Sequence, residues 1–111
     1  MYLRKYINKK TKEIFEATPF LKINERQILE YIYNNNGVCS IRDDNTLDII
    51  TVENKFIIKD EHVVIEESEH RYHANFGDII LRNIYKEGLS AFKVCTQEEL
   101  RNEYSIKIWE K

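Results

Sequence analysis

Proline and glycine are scarce: one proline and three glycines in 111 residues. Flexible and extended linkers are rich in these residues, so no linker is expected and residues 1–111 read as a single domain around one core. Cysteine is scarce too. Cys39 and Cys95 are too few for a disulfide framework and lack metal-ligand spacing, so they read as free, buried thiols in a reducing compartment. No segment approaches the roughly 18 apolar residues of a membrane span. The N-terminus lacks the apolar run of a secretion signal, which points to the cytoplasm. A large excess of one charge is also missing: the net charge of −2 gives no global attraction to nucleic acid.

What is present suffices for a folded chain, with 42% hydrophobic and 32% charged residues. The charge is unevenly placed. Residues 1–12 hold five bases (Arg4, Lys5, Lys9, Lys10, Lys12) and no acid, while residues 43–69 hold nine acids against Lys55 and Lys59. Such asymmetry can mark a partner surface, although charged runs are more often solvated faces.

Residues 2–10 mix bases with Tyr2, Leu3, Tyr6 and Ile7 and read as an edge strand or a loosely docked arm. Residues 13–20 read as a strand that ends at Pro19 or lies at a sheet edge, because proline cannot donate to a ladder. A helix follows. Asn24 is its expected N-cap, Gln27 closes a capping box, Ile23 and Ile28 form a staple, and Ile28, Leu29, Ile32 and Tyr33 make the inward stripe. Asn34-Asn35-Asn36-Gly37 stops it. Residues 38–42 are a short strand and Asp43-Asp44-Asn45 a turn. Leu47, Ile49 and Thr51 then alternate as in a half-buried strand.

Turns are expected at Glu53-Asn54-Lys55 and at Lys59-Asp60-Glu61, with strands at 56–58 and from His62 through Tyr72. Gly77-Asp78 is a turn leading into the buried strand Ile79-Ile80-Leu81. A loop containing Gly88 leads to a return strand at 91–95. A second helix starts at Thr96 with Glu99 closing its capping box and Leu100 facing inward. Tyr104, Ile106 and Ile108 alternate as a last strand. The fold class expected is α+β: a curled antiparallel sheet with two short helices packed on it.

Several residues carry the possibility of chemistry. His70 and His73 sit near Glu66, Glu67 and Glu69, but an odd separation on a strand sends the two rings to opposite faces. Cys95 reads as a residue packed against Leu100, although it also precedes a helix N-terminus, where a thiol pKa can fall. Asp78 can serve as a carboxylate or as a turn former. No catalytic residue, cofactor or metal site is assigned. Tyr2, Tyr6, Tyr31, Tyr33, Tyr72 and Tyr85 exceed what a small core needs, and exposed tyrosine is a common interface anchor.

In order along the chain, Lys9-Lys10, Ile14-Phe15-Glu16-Ala17, Phe20, Asn75-Phe76-Gly77-Asp78-Ile79-Ile80, Phe92, Cys95, Leu100 and Tyr104 form a pattern. It resembles a family of small phage and prophage proteins built around a Pro-Gly-Asp-Trp-Ile-Ile motif, with Phe76 for the Pro, Ile79 for the Trp and Val94 for a later Pro. The resemblance implies an α+β fold, a viral or prophage origin and so the cytoplasm of a bacterial host. It brings no established activity. By analogy of origin, the expected function is a non-enzymatic protein that binds and modulates a host protein. An anti-CRISPR-like inhibitor of a defence nuclease, acting on a basic surface, is the form considered.

The expected contact residues are Asp60, Glu61, Glu66, Glu67 and Glu69, because clustered acids complement a basic channel. An alternative contact set is Tyr2, Arg4, Lys5 and Tyr6, which also carries the weaker case for direct nucleic-acid binding. The alternative function is a small-ligand module for a nucleotide or metal, or a small enzyme, with a pocket between the first helix and the sheet holding His70, His73 or Asp78.

Overall fold

The computed structural model describes residues 3–107. Its centre is a five-stranded antiparallel sheet of β1 (Arg4–Asn8), β2 (Ile14–Pro19), β6 (Ile79–Asn83), β7 (Phe92–Cys95) and β8 (Tyr104–Ile106), in the order β7-β6-β2-β1-β8. A second, three-stranded sheet joins β3 (Val38–Ile41), β4 (Leu47–Lys59) and β5 (His62–Ala74). Two α-helices complete the fold, α1 (Glu25–Asn34) and α2 (Gln97–Glu103). The class is the expected α+β, with the strands divided between two antiparallel sheets. Within that N-terminal stretch Arg4–Asn8 is neither an arm nor an edge: β1 pairs with β2 on one side and β8 on the other.

The central sheet is apolar on both faces, which explains the unbroken run Ile79-Ile80-Leu81 in β6. Alternation along β2 and β6 sends Ile80 to one face and Ile79 and Leu81 to the other. Ile80 joins Phe20, Ile28, Ile32, Cys39, Leu47, Ile49, Ala74, Ala91 and Phe92 in a core between α1, the root of the second sheet and the central sheet. Phe15, Ala17, Ile79, Leu81, Cys95 and Tyr104 form a second cluster, with Tyr6 and Leu100 packed against it.

The entry to β6 follows the sequence. Gly77 has φ 96°, a conformation glycine adopts without a Cβ penalty. Asp78 is a turn former: its Oδ2 accepts from the Asn75 N–H at 2.9 Å, and its carbonyl accepts from Phe20 N–H at 2.8 Å. The cap of α2 is also as read. Thr96 Oγ1 accepts from Glu99 N–H and Glu99 Oε1 from Thr96 N–H, both at 3.1 Å.

The start of α1 is different. Asn24 occupies the N-cap position but makes no cap bond with its side chain. A 3₁₀ turn at Lys22–Asn24 precedes the helix, and within it the Asn24 amide donates to Pro19 O and its oxygen accepts from Leu21 N–H, each at 2.8 Å. The side chain therefore ties the strand end to the helix and is not available to the first helical turn. Ile23 is 92% exposed, so no staple forms. At the other end Asn36, with φ 63°, takes the left-handed position. Gly37 sits where a Cβ would lie 2.6 Å from both Ile32 Cγ2 and Phe92 Cε2.

Candidate interaction arm

The main departure from expectation is at Glu53-Asn54-Lys55. No turn occurs there; β4 and β5 pair without interruption from Leu47↔Ala74 to Lys59↔His62. The only reversal is the two-residue connection Asp60-Glu61, with φ values of 52° and 65°. Positive φ at both central residues matches the right-handed twist of the flanking strands. Beyond Thr51 the ribbon leaves the body. At about 3.3 Å per residue, residues 52–59 reach roughly 25 Å. The radius of gyration, 15.2 Å, exceeds the ~13 Å usual for a compact chain of this length.

Directly opposed residues of an antiparallel pair share a face, so the register assigns every arm residue. Leu47, Ile49 and Thr51 are buried and define the inner face, which continues outward as Glu53/Ser68, Lys55/Glu66, Ile57/Val64 and Lys59/His62. The other face carries Val52/Glu69, Asn54/Glu67, Phe56/Ile65 and Ile58/Val63. Phe56 is 72% and Ile58 83% exposed, and Val63 and Ile65 are exposed beside them. Four large apolar side chains thus form an exposed cluster near the tip.

The five expected acidic contact residues are all exposed on this arm, but they do not share a face. Glu67 and Glu69 lie on the face of the apolar cluster. Glu66 lies on the opposite face across from Lys55, and Asp60 and Glu61 form the turn. Arg71 reaches Glu69 at 3.8 Å. Sequence reasoning missed the apolar cluster because its residues were divided between a short strand at 56–58 and a separate one from His62 through Tyr72. The signal that could have found it is the run Phe56-Ile57-Ile58 facing Val63-Val64-Ile65 across a two-residue turn.

Of the alternative contact set, Tyr2 lies outside the described residues. Arg4, Lys5 and Tyr6 are on β1. Arg4 and Tyr6 line a hollow of about 390 Å³ with Pro19, Leu21, Asn24 and Leu100. None of His70, His73 and Asp78 lines it. The two histidines sit on opposite faces of β5, His70 Nε2 3.3 Å from Glu53 Oε2 and His73 Nδ1 2.9 Å from Asp48 Oδ1. Among the described residues, no group of three or more His, Cys, Asp and Glu side chains is placed to hold a metal ion.

Two of the supernumerary tyrosines, Tyr31 and Tyr33, have hydrogen-bond partners. Tyr31 accepts from Arg82 Nε at 3.0 Å, beneath the Arg82–Glu16 ion pair. Tyr33 donates to Cys39 O at 2.6 Å. Tyr85 stays exposed.

Cys95 packs in the second cluster with Leu100 against it. Burial, reinforced by Glu99, Glu103 and Asp78, pushes its thiol up to about 12, opposite to the lowering considered for a helix N-terminus. Burial likewise pushes Cys39 up to about 11, against a smaller lowering by Tyr33. Both thiols are expected to resist thiol reagents near neutral pH while the protein is folded, since only the thiolate reacts. Ellman titration should give both thiols on unfolding and almost none before; fast reaction of the folded protein would show that Cys95 is not held this way.

Comparison with family models, with curated proteins and with solved structures gave no match. Among the described residues no helix is long and apolar enough to cross a membrane.

Proposed function

We propose that the protein is a non-catalytic binding module that docks on another protein through the β4–β5 arm. The supporting observation is the arm itself. A ribbon that leaves its core presents four apolar side chains flanked by Glu67 and Glu69 on one face, with Asp60 and Glu61 at the tip. Contiguous exposed apolar surface is a mark of interaction sites. Apolar anchors provide affinity in such contacts, while the acids steer encounter with a basic surface and select against acidic ones. The partner is therefore a protein whose apolar groove is bordered by lysine or arginine. The resemblance to phage proteins adds the narrower form of the proposal: a host nuclease whose nucleic-acid channel supplies that basic border, inhibited by occlusion.

The test uses two variants, folding being checked by circular dichroism. Glu66, Glu67 and Glu69 changed together to Lys are expected to weaken capture of the host partner about tenfold or more at low salt, with the wild-type attraction declining as salt rises. Phe56→Ser with Ile65→Ser is expected to abolish it. If both folded variants bind the same identified partner as tightly as wild type, the arm is not the docking element. The hollow lined by Arg4 and Tyr6 would then be the next surface to probe, and a thermal shift with nucleotides would report a small ligand there.

A further inference from the structure

We infer that two copies of the chain pair edge to edge along the outer half of β4, each arm's turn entering a hollow in the body of the other. This deepens the reading of the arm as an interaction element and rests on it. Beyond Ile50, β4 pairs only with β5 among the described residues, because β3 stops at the Val38↔Ile50 pair. Residues 52–59 therefore present backbone donors and acceptors along an open edge, a ready template for another strand.

Whether that edge suits a second copy is decided by register. About a two-fold axis perpendicular to the sheet, residues of the same face meet, so the axis must lie midway between one residue and its own copy. Centred on Lys55, the pairing sets lysine against lysine. Centred on Ile57, it sets Lys55 against Lys59 twice. Centred on Asn54, it drives Ile58 onto Ile50, whose edge is already taken by β3. Centred on Phe56, it sets Glu53 of each copy opposite Lys59 of the other, Phe56 opposite Phe56, and the uncharged Asn54 opposite Ile58. The Asn54-centred register also opposes Glu53 to Lys55 but runs into β3; of the registers that keep within the open edge, only the Phe56-centred one is charge-complementary. Along Glu66–Glu69 the outer edge of β5 repels itself by contrast: centres at Glu66 and Glu67 oppose each residue to its own copy, and a centre at Ser68 sets Glu67 against Glu69 twice.

A second feature agrees with the same register. Beside the root of β4 lies a hollow of about 560 Å³, lined by Val52, Glu53 and Asn54 on the arm and by Lys86, Ser90 and Lys93 on the body. The Phe56-centred pairing sets Asp60 of the second copy opposite Val52, so its Asp60-Glu61 turn enters this hollow beside two lysines. The symmetry repeats the contact at the other end. Exposed ion pairs add little energy each, but they select register and partner, while the ladder and the Phe56 contact supply the affinity. Glu66, Glu67 and Glu69 take no part, and the apolar clusters of the two arms become one continuous face that remains open to a different protein.

The experiment is sedimentation equilibrium of the full chain, with folding of each variant checked by circular dichroism. The wild type is expected at twice its 13.4 kDa mass. Lys59→Glu is expected to weaken the dimer about tenfold, and combining it with Glu53→Lys should restore it, because the pairs are re-formed with reversed sign. Oxidised Phe56→Cys is expected to form a covalent dimer across the axis, and Ile58→Cys is not, because its own copy lies four residues along the ladder. A chain that stays monomeric at every concentration overturns the inference. So does a dimer indifferent to Lys59→Glu, one that the double reversal fails to restore, or cross-linking at Ile58→Cys but not Phe56→Cys. The Glu66, Glu67 and Glu69 reversal should leave the dimer intact, so loss of the host partner and loss of the dimer are separate results.

Discussion

Phe92→Ala is expected to cost about 3–5 kcal/mol of folding stability, the range for removing a fully buried phenylalanine. Phe92 has no exposed surface. It stands on β7 opposite Arg82, and Tyr31 of α1 meets its ring edge-on at a centroid distance of 6.3 Å. The same ring lies against the chain at Gly37, where α1 gives way to β3. It therefore joins α1, the central sheet and the start of the second sheet, and few neighbours can shift to fill its space. For a domain whose total stability is in the usual range of about 5–15 kcal/mol, this loss is a large fraction. Urea denaturation followed by circular dichroism will read it; a shift worth less than about 1 kcal/mol would mean that the core collapses around the vacancy.

Gly37→Ala is expected to destabilise by about 1–3 kcal/mol through overpacking. Its Cβ would lie 2.6 Å from Ile32 Cγ2 and Phe92 Cε2 and 3.0 Å from Phe92 Cδ2, and both neighbours are fully buried. The cost is one of space: the left-handed residue of this turn is Asn36, not Gly37. The same methyl should accordingly cost less in the Phe92→Ala background, where one of its two obstacles is gone. A double-mutant cycle measures that difference. Additive effects would show that the clash with Phe92 contributes nothing and that Ile32 alone resists the methyl.

Local motifs were legible where no distant group competed for their atoms. The Thr96–Glu99 box closes within four residues, and the Gly77-Asp78 turn is closed by Asn75, with its bonds to Phe20 added to the turn without altering it. Asn24 has the same cap chemistry as Thr96, but its amide and carbonyl are engaged by Pro19 and Leu21. Gly37 was read as a helix stop for its backbone freedom, whereas it is required because two buried side chains approach it. Both outcomes depend on groups outside the helix, Pro19 and Leu21 for Asn24 and Phe92 for Gly37.

The arm was obscured for a different reason. Alternation reports a strand only where one face meets a core and the other meets water. Leu47, Ile49 and Thr51 satisfy that condition and were found. From Glu53 outward both faces of β4 meet solvent, the alternation is lost, and Glu53-Asn54-Lys55 imitates a turn although each residue pairs across to β5. The acids were visible as a run in the chain, but pairing divides them: Glu67 and Glu69 on the face of the apolar cluster, Glu66 on the other, Asp60 and Glu61 at the tip.

From the sequence alone follow the α+β class, the inward Ile28, Leu29 and Ile32 of α1, the cap of α2, the Gly77 turn and the reversal at Asp60-Glu61, all of which depend on period and on contacts between near neighbours; Tyr33, expected in the same stripe, is 55% exposed. Only the tertiary structure decided that β1 lies inside a sheet, that the strands divide into two sheets, and that β4 and β5 continue into solvent as one ribbon. Those outcomes depend on which strand edges meet and where the core ends. They arise from contacts between residues far apart in the chain, such as Arg4 with Ala17 and Tyr6 with Ile106, for which a single sequence carries no periodic signal.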